Sequence, residues 1–327
     1  MDGSVLDGVS ATTLWTLRNR AEAALQPDPV IDDPWAVHAY RTVPYDYERF
    51  GRPSQSHALR ALTVDRELRS YLQQRPRATV VALGEGLQTT YWRLGLPVRR
   101  WVTVDLPAVV AMREKLYPAE EAVVTVAGSA LDRSWMDEVT APDDGVFVTA
   151  EGLFMYLDRQ QVVDLVTECA QRFPGGRLLF DSIPHWFSRR TLAGLRLTDR
   201  YTTPPMPTAF SVDEPRGSSA LPGVAAVDDL ELPRGKGLWA STLLRRLSDL
   251  PPAPQPTSLT DPADVHATTC GRLTRRPHRR RSRHSSCQDR ACPSSPTFAA
   301  SSAGSRATVT WSTIRAYSGS AHEAWRQ

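Results

Sequence analysis

TVVALGEGLQTTYWRLGLPVRRWVTVDL, residues 79–106, decides the fold. Two short and almost wholly apolar runs, TVVAL (79–83) and RWVTV (100–104), flank a glycine turn, GEG, and the helix-forming stretch TTYWRLG; Asp105 closes the second run. Runs this short without polar alternation read as strands buried on both faces, as in a parallel sheet. Two of them joined by a helix make a β–α–β unit. Glycines in its first turn let a ligand approach the backbone, close to where a helix start leaves N–H groups free. An acid ending the second strand can accept hydrogen bonds from two ribose hydroxyls, and Asp105 stands 21 residues after Gly84, the spacing such a unit imposes. A glycine in this turn also serves tightness alone, so it is the combination with Asp105 that points to a nucleoside-bearing ligand.

The alternation continues outward. VVTVA (123–127), GVFVTA (145–150) and GGRLLFD (175–181) read as further strands, and VAAVDDLEL (224–232) as a sixth. PAVVAMREKLY and DRQQVVDLVTECAQRF (158–173) read as helices, the second capped by Asp158, and KGLWASTLLRRLSDL (236–250) as another. Upstream, residues 10–26 form an amphipathic helix with Leu14, Leu17, Ala21, Ala24 and Leu25 on one face. Asp33 caps a short helix beginning at Pro34, and a longer helix runs from about Ser54 to Gln74, with Leu59, Leu62, Leu68 and Leu72 inward. The expected architecture is α/β: an N-terminal helical cap over residues 1–78 and a ligand-binding α/β domain over 79–260. A proline-rich, loop-rich lid is expected at 184–222, and a disordered basic tail over 261–327.

Composition agrees with that division. The net charge of +3 hides eleven arginines against four acids in residues 261–327, which leaves residues 1–260 at −4. Arg275, Arg276, Arg279, Arg280, Arg281 and Arg283 cluster in that tail without interleaved aromatics. They read as a solvated extension rather than a nucleic-acid-binding surface. Cys169 is alone in the body, Cys270, Cys287 and Cys292 lack paired spacing, and His38 and His57 show no ligand pattern, so no metal is expected. The N-terminus has neither a basic nor an apolar leader region, and no apolar run approaches the roughly 20 residues of a membrane span. The expectation is a cytoplasmic, soluble protein without a membrane partner; the oligomeric state is left open.

The nicotinamide fingerprint G-x-G-x-x-G breaks at Thr89, which occupies its third glycine position. Pyrophosphate binding is therefore disfavoured, and no Tyr-x-x-x-Lys pair is present. An NAD-dependent oxidoreductase is the second reading and a degenerate, non-catalytic chain the third. A ligand with a ribose and an amino-acid moiety but no pyrophosphate, S-adenosyl-L-methionine, fits better.

The segments VVALGEGLQTTYWRL, RWVTVDLPAVVAMREKLYP, VAGSALDRSWMDEV, VTAEGLFMYLDRQQVVDLV and RFPGGRLLFDSIPHW, with HALRA and the DDPWA turn upstream, run in order over about residues 12–250. Together they resemble the leucine carboxyl methyltransferase superfamily, closest to its polyketide-type O-methyltransferase branch, as in tetracenomycin biosynthesis. The resemblance implies a Rossmann-like, class I methyltransferase sheet and O-methylation of a small acceptor. It implies that Gly84, Glu85 and Gly86 underlie the methionine part of S-adenosylmethionine, that Asp105, followed by Leu106, holds the ribose, and that Ser129, Ala130, Leu131 and Asp132 hold the adenine edge. Glu151 would face the transferred methyl. Arg60, and more weakly Arg20, would reach the cofactor carboxylate. Apart from the resemblance, His185 follows the fifth strand, at the end where such folds bind ligands, and reads equally as acceptor-pocket lining or a packed loop residue, while Tyr156 reads equally as pocket or core. The resemblance further implies a last strand inserted between the fifth and sixth. That strand is due at about PTSLT (256–260), where apolar alternation stops, so the expected sheet lacks it.

Overall fold

β1 (Thr79–Leu83) lies inside a parallel sheet, with β2 (Arg100–Asp105) on one side and β4 (Val146–Ala150) on the other. The structure is a computed structural model and describes residues 2–210, 224–237 and 309–315. All residues of β1 and β4 are buried, as their unbroken apolar runs require. β3 (Val123–Ala127) is the edge beyond β2 and is half exposed. β5 (Arg177–Ser182) pairs with β4. The side-chain period of two sends Val80, Ala82 and Phe147 to one face of the sheet, where α3 (Ser56–Gln74) packs through Val64, Leu68 and Leu72. It sends Val81, Leu83 and Val148 to the other, against Val162, Leu165, Val166 and Cys169 of α6 (Arg159–Arg172). α3, read with the cap, therefore covers the sheet itself.

α1 (Thr12–Ala24) and α2 (Pro34–Thr42) pack with α5 (Pro107–Leu116) around Leu14, Leu17, Ala36, Ala39 and Met112. Asp33 caps α2 by accepting from Ala36 N at 3.0 Å, and Asp158 starts α6 with a capping box completed by Gln161. A five-residue helix, α4 (Thr90–Leu94), links β1 to β2.

The described part of the lid segment is more ordered than its prolines suggest. It holds α7 (His185–Leu192) and an antiparallel hairpin of β6 (Arg196–Thr198) and β7 (Tyr201–Thr202). Phe187, Leu195, Met206 and Ala209 pack onto Met155 and Ile183 beside β4 and β5.

The sixth strand is β8 (Val224–Leu230), as read, but its neighbour is a correction. Val309–Arg315, inside the stretch expected to be a disordered tail, forms β9 between β5 and β8 and parallel to both. The sheet order is β3-β2-β1-β4-β5-β9-β8. Two physical reasons favour it: VTWSTIR is rich in β-branched residues, and a gap between β5 and β8 would leave two rows of backbone groups unpaired. The described residues belong to the compact unit formed by Met1–Pro251 and Arg306–Gln327. The end of the lid (211–223), the helix read at 236–250 beyond Gly237 and the rest of the tail lie outside the described residues.

Candidate functional site

Gly84 and Gly86 both take φ of +58°, the left-handed region that glycine enters without cost. A Cβ on Gly84 would sit 3.0 Å from Leu153 Cδ1, and one on Gly86 would strike Thr13 Oγ1. The turn is held from three sides. From the cap, Thr13 Oγ1 accepts from Leu87 N at 2.7 Å. From α5, Arg113 donates to Gly86 O at 2.7 Å and to Gln88 O at 2.9 Å, and Tyr117 donates to Leu87 O at 3.0 Å. From β2, Asp105 Oδ2 accepts from Gly86 N at 2.6 Å, while Oδ1 accepts from Leu106 N at 2.7 Å.

Above this turn, at the carboxyl ends of the strands, lies a cavity of about 250 Å³. Of the residues singled out from the sequence, Arg60, Gly84, Glu85, Gly86, Asp105, Leu106, Ser129, Ala130, Glu151 and Tyr156 line it. Each Asp105 oxygen keeps a lone pair beyond its amide bond, which leaves the carboxylate able to receive two hydroxyls. Burial pushes its pKa up, and the Gly86 and Leu106 amides pull it back. Glu85 reaches under the turn, where its Oε2 accepts from Thr103 Oγ1 at 2.5 Å and meets Arg113 at 3.2 Å. Burial raises its pKa against these partners.

Glu151, just past β4, stands 3.3 Å from Arg60 Nε and accepts from Gln88 Nε2 at 3.3 Å. Arg60 also donates to Asp181 Oδ2 at 2.8 Å, and Asp181 Oδ1 accepts from Gly152 N at 2.5 Å. Burial again raises the Glu151 pKa, opposed by Arg60 and Arg93. Tyr156 also lines the cavity, half buried; burial pushes its phenol up to about 12, partly offset by a hydrogen bond with Thr12.

Four expected residues do not line the cavity. Arg20 is fully buried against Asp33 at 2.7 Å, Thr89 Oγ1 at 2.9 Å and Leu87 O at 2.6 Å, so it braces the back of the turn. Leu131 packs against the core. Asp132 is exposed and caps the 3-10 turn Arg133–Glu138. His185 is exposed at the first position of α7, because Phe187, Ser188 and Thr191 form that helix's buried side.

The cavity also recruits residues the sequence reading passed over: Gln88 in the turn, and Thr12, Thr13, Trp15 and Thr16 at the start of α1. The available sign was polar: Thr12 and Thr13 are buried, although they lie off the leucine face that marks the helix as amphipathic.

The donors and acceptors of the wall fit a nucleoside with a charged chain. Glu85, Asp105 and Glu151 bring three carboxylates to it, and the buried atoms Glu85 Oε1 and Gln88 Oε1 accept no hydrogen bond. Such a wall suits a ribose plus a cationic group. Among the described residues no cluster of three or more His, Cys, Asp or Glu side chains could hold a metal ion, and no helix is long and apolar enough to cross a membrane.

Residues 13–170 match the family described as leucine carboxyl methyltransferase. The chain is 30% identical over 188 residues to the tetracenomycin polyketide synthesis O-methyltransferase TcmP of Streptomyces glaucescens, a match covering 56% of this chain and 69% of that protein. It is 29% identical over 211 residues to the S-adenosyl-L-methionine-dependent methyltransferase dpfgK of Gibberella zeae, covering 56% and 71%. Among solved structures it resembles an O-methyltransferase family protein from Burkholderia thailandensis at 17% identity and a TM-score of 0.34, covering 61% of this chain and 63% of that one.

Proposed function

The chain belongs to the leucine carboxyl methyltransferase family, and from that premise we propose that the cavity binds S-adenosyl-L-methionine and directs its methyl group to an oxygen of a small, apolar, polyketide-like acceptor, a carboxylate in the first instance. The single observation that carries this is Asp105: buried, aimed into the cavity above a glycine turn, with both oxygens pre-set by backbone amides.

When bound, the cofactor supplies a methyl already activated on a sulfonium. The protein's task is then alignment and exclusion of water, not generation of a leaving group. Asp105 takes the ribose hydroxyls, with Leu106 and Ala130 as apolar neighbours. Arg60, fixed by Glu151 and Asp181, offers a guanidinium edge to the cofactor carboxylate, a charge-assisted contact. Trp15, Thr12, Met155 and Tyr156 form the wall assigned to the acceptor. Tyr156 remains protonated at neutral pH and can donate an O–H to the acceptor.

No histidine is among the described lining residues. That favours an acceptor needing no general base: a carboxylate is ionised at neutral pH, whereas a phenol has a pKa near 10. The lid-derived cluster of Phe187, Leu195 and Met206 packs behind Met155 and Tyr156 and would tune acceptor shape.

A thermal-shift titration of the whole chain with S-adenosylmethionine, S-adenosylhomocysteine and NAD tests the cofactor reading. Stabilisation by the first two is expected; stabilisation by NAD alone would end it. With an acceptor in hand, kcat/KM that stays flat from pH 6 to 9 is expected for a carboxylate, and a steady rise with pH would reassign the reaction to a phenol.

A further inference from the structure

α1 divides its residues between two surroundings. Leu14, Leu17 and Ala21 are fully buried in the core it shares with α2 and α5. Thr12, Trp15 and Thr16, at positions i, i+3 and i+4, share one side of the helix and line the cavity. Trp15 thus lies off the leucine face, between two threonines, and is only half buried.

Three buried rings hold it in place. Phe50 stacks on the indole at 6.2 Å between centroids and 19° between planes, His57 meets it edge to face at 5.3 Å and Tyr201 at 6.1 Å. These rings come from the 3-10 turn Tyr47–Phe50, from α3 and from β7, so three separate segments brace one side chain. His57 is locked in turn: Asn19 Oδ1 accepts from Ser54 N at 3.1 Å, which leaves Asn19 Nδ2 to donate to His57 Nδ1 at 2.7 Å. A side chain fixed in this way loses little freedom when a ligand packs on it.

The neighbours of Trp15 in the lining have matching chemistry: the thioether of Met155 and the ring of Tyr156. Two rings and a thioether gain more from an aromatic neighbour than the area they bury, through edge-to-face, offset-stacked or sulfur–ring contacts. A saturated ring of the same size offers them area alone.

We infer that Trp15 is the specificity residue of the acceptor wall: its indole packs against a planar ring of the acceptor, so that an aromatic acid is bound in preference to a saturated acid of the same skeleton. The inference rests on the assignment of that wall to the acceptor made above, and adds to it a residue and the shape it selects.

2-Naphthoic acid and decahydro-2-naphthoic acid make the test. Both are carboxylates at neutral pH with one carbon skeleton, but only the first is flat and aromatic. Each is titrated by calorimetry into the full chain saturated with S-adenosylhomocysteine. The wild type is expected to prefer 2-naphthoate by roughly threefold to tenfold. Trp15→Leu, which keeps apolar bulk, should cut that preference to about twofold or less by weakening 2-naphthoate, and Trp15→Phe should retain most of it. Both variants should hold S-adenosylhomocysteine as the wild type does. A Trp15→Leu protein that keeps the full preference overturns the inference. So does one that binds S-adenosylmethionine more weakly while S-adenosylhomocysteine is unaffected, because the indole would then serve the sulfonium. A wild type that binds the two acids equally, or neither of them, overturns it without reliance on any variant. A wild type that does not bind S-adenosylhomocysteine overturns the cofactor reading itself.

Discussion

Arg20 and Arg60 invite comparison. Both come from helices of the N-terminal region, both are at most 2% exposed, and both are paired with carboxylates. Around Arg20 the acceptors are matched by donors of the cluster itself, while Arg20 Nε meets no acceptor. Asp33 takes Arg20 at 2.7 Å and Arg93 at 3.0 Å, Thr89 donates to Asp33 at 2.6 Å, and Arg93 grips Asp65 through both of its oxygens at 2.9 Å. Around Arg60 the network opens onto the cavity, and neighbouring acceptors in Glu85 and Gln88 are left without donors. Burial and pairing alone therefore do not mark a functional charge. What separates the two clusters is where the unmatched atoms lie: beside Arg60 they are acceptors of residues that line the cavity, whereas at Arg20 it is the donor Nε of a residue that does not line it.

The largest effect that can sharpen the contrast is on stability. Arg20→Met leaves Asp33 buried with half its counter-charge. Because Arg93 remains, the cost should fall at the low end for a broken buried pair, about 3 kcal/mol, read by chemical denaturation. The surviving folded protein should bind S-adenosylmethionine nearly as before; an affinity loss larger than the stability loss would put Arg20 back in the site.

Asp105→Ala acts on the other side. It should weaken S-adenosylmethionine by roughly 1.5–3 kcal/mol, the scale of hydrogen bonds to a charged group, in isothermal titration. Unchanged affinity would mean that the ribose lies elsewhere.

The two clusters should also answer pH with opposite signs. Burial raises Asp105, Glu85 and Glu151 above their ordinary values, so their contribution to stability is fully present below the unfolded pKa and is lost as pH rises through the folded one. Asp33 is pulled below its ordinary 3.8, because Arg20 and Arg93 outweigh its burial, so its contribution is lost as pH falls through that lower value. In denaturant titrations across pH, the ligand-free protein should thus gain stability as pH drops from neutral towards 4.5, the ordinary glutamate value, and lose it again in stronger acid. Glu151→Gln should flatten the upper limb; an unaltered limb in that variant would contradict the assignment. The smallest effect is expected at Leu106, which is 46% exposed at the cavity wall. Leu106→Ala should move folding stability by less than about 0.5 kcal/mol while measurably weakening ligand binding.

What could be read in advance follows from range. The strands at 79–83 and 123–127 were legible to the residue, because an apolar run and its flanking turn are local signals. Asp105 and the two glycines were legible because a β–α–β unit fixes their spacing. Gln88 was not, since its meaning lies in an unmatched oxygen that only the folded neighbourhood reveals. Asp132 was misread because its carboxylate serves the turn that follows it, and His185 because helix phase, not strand-end position, aims it at solvent.

The chain's own order of apolar runs, turns and caps was enough to specify an α/β sheet with a nucleoside-sized opening beside residue 105, since each of those choices is made within a few residues. Tertiary structure alone decided which of two buried arginines faces that opening. It also decided that Val309–Arg315, remote in the sequence, fills the place between β5 and β8. Both outcomes depend on hydrogen-bond partners contributed by distant segments, and such partners exist only once the chain has closed on itself.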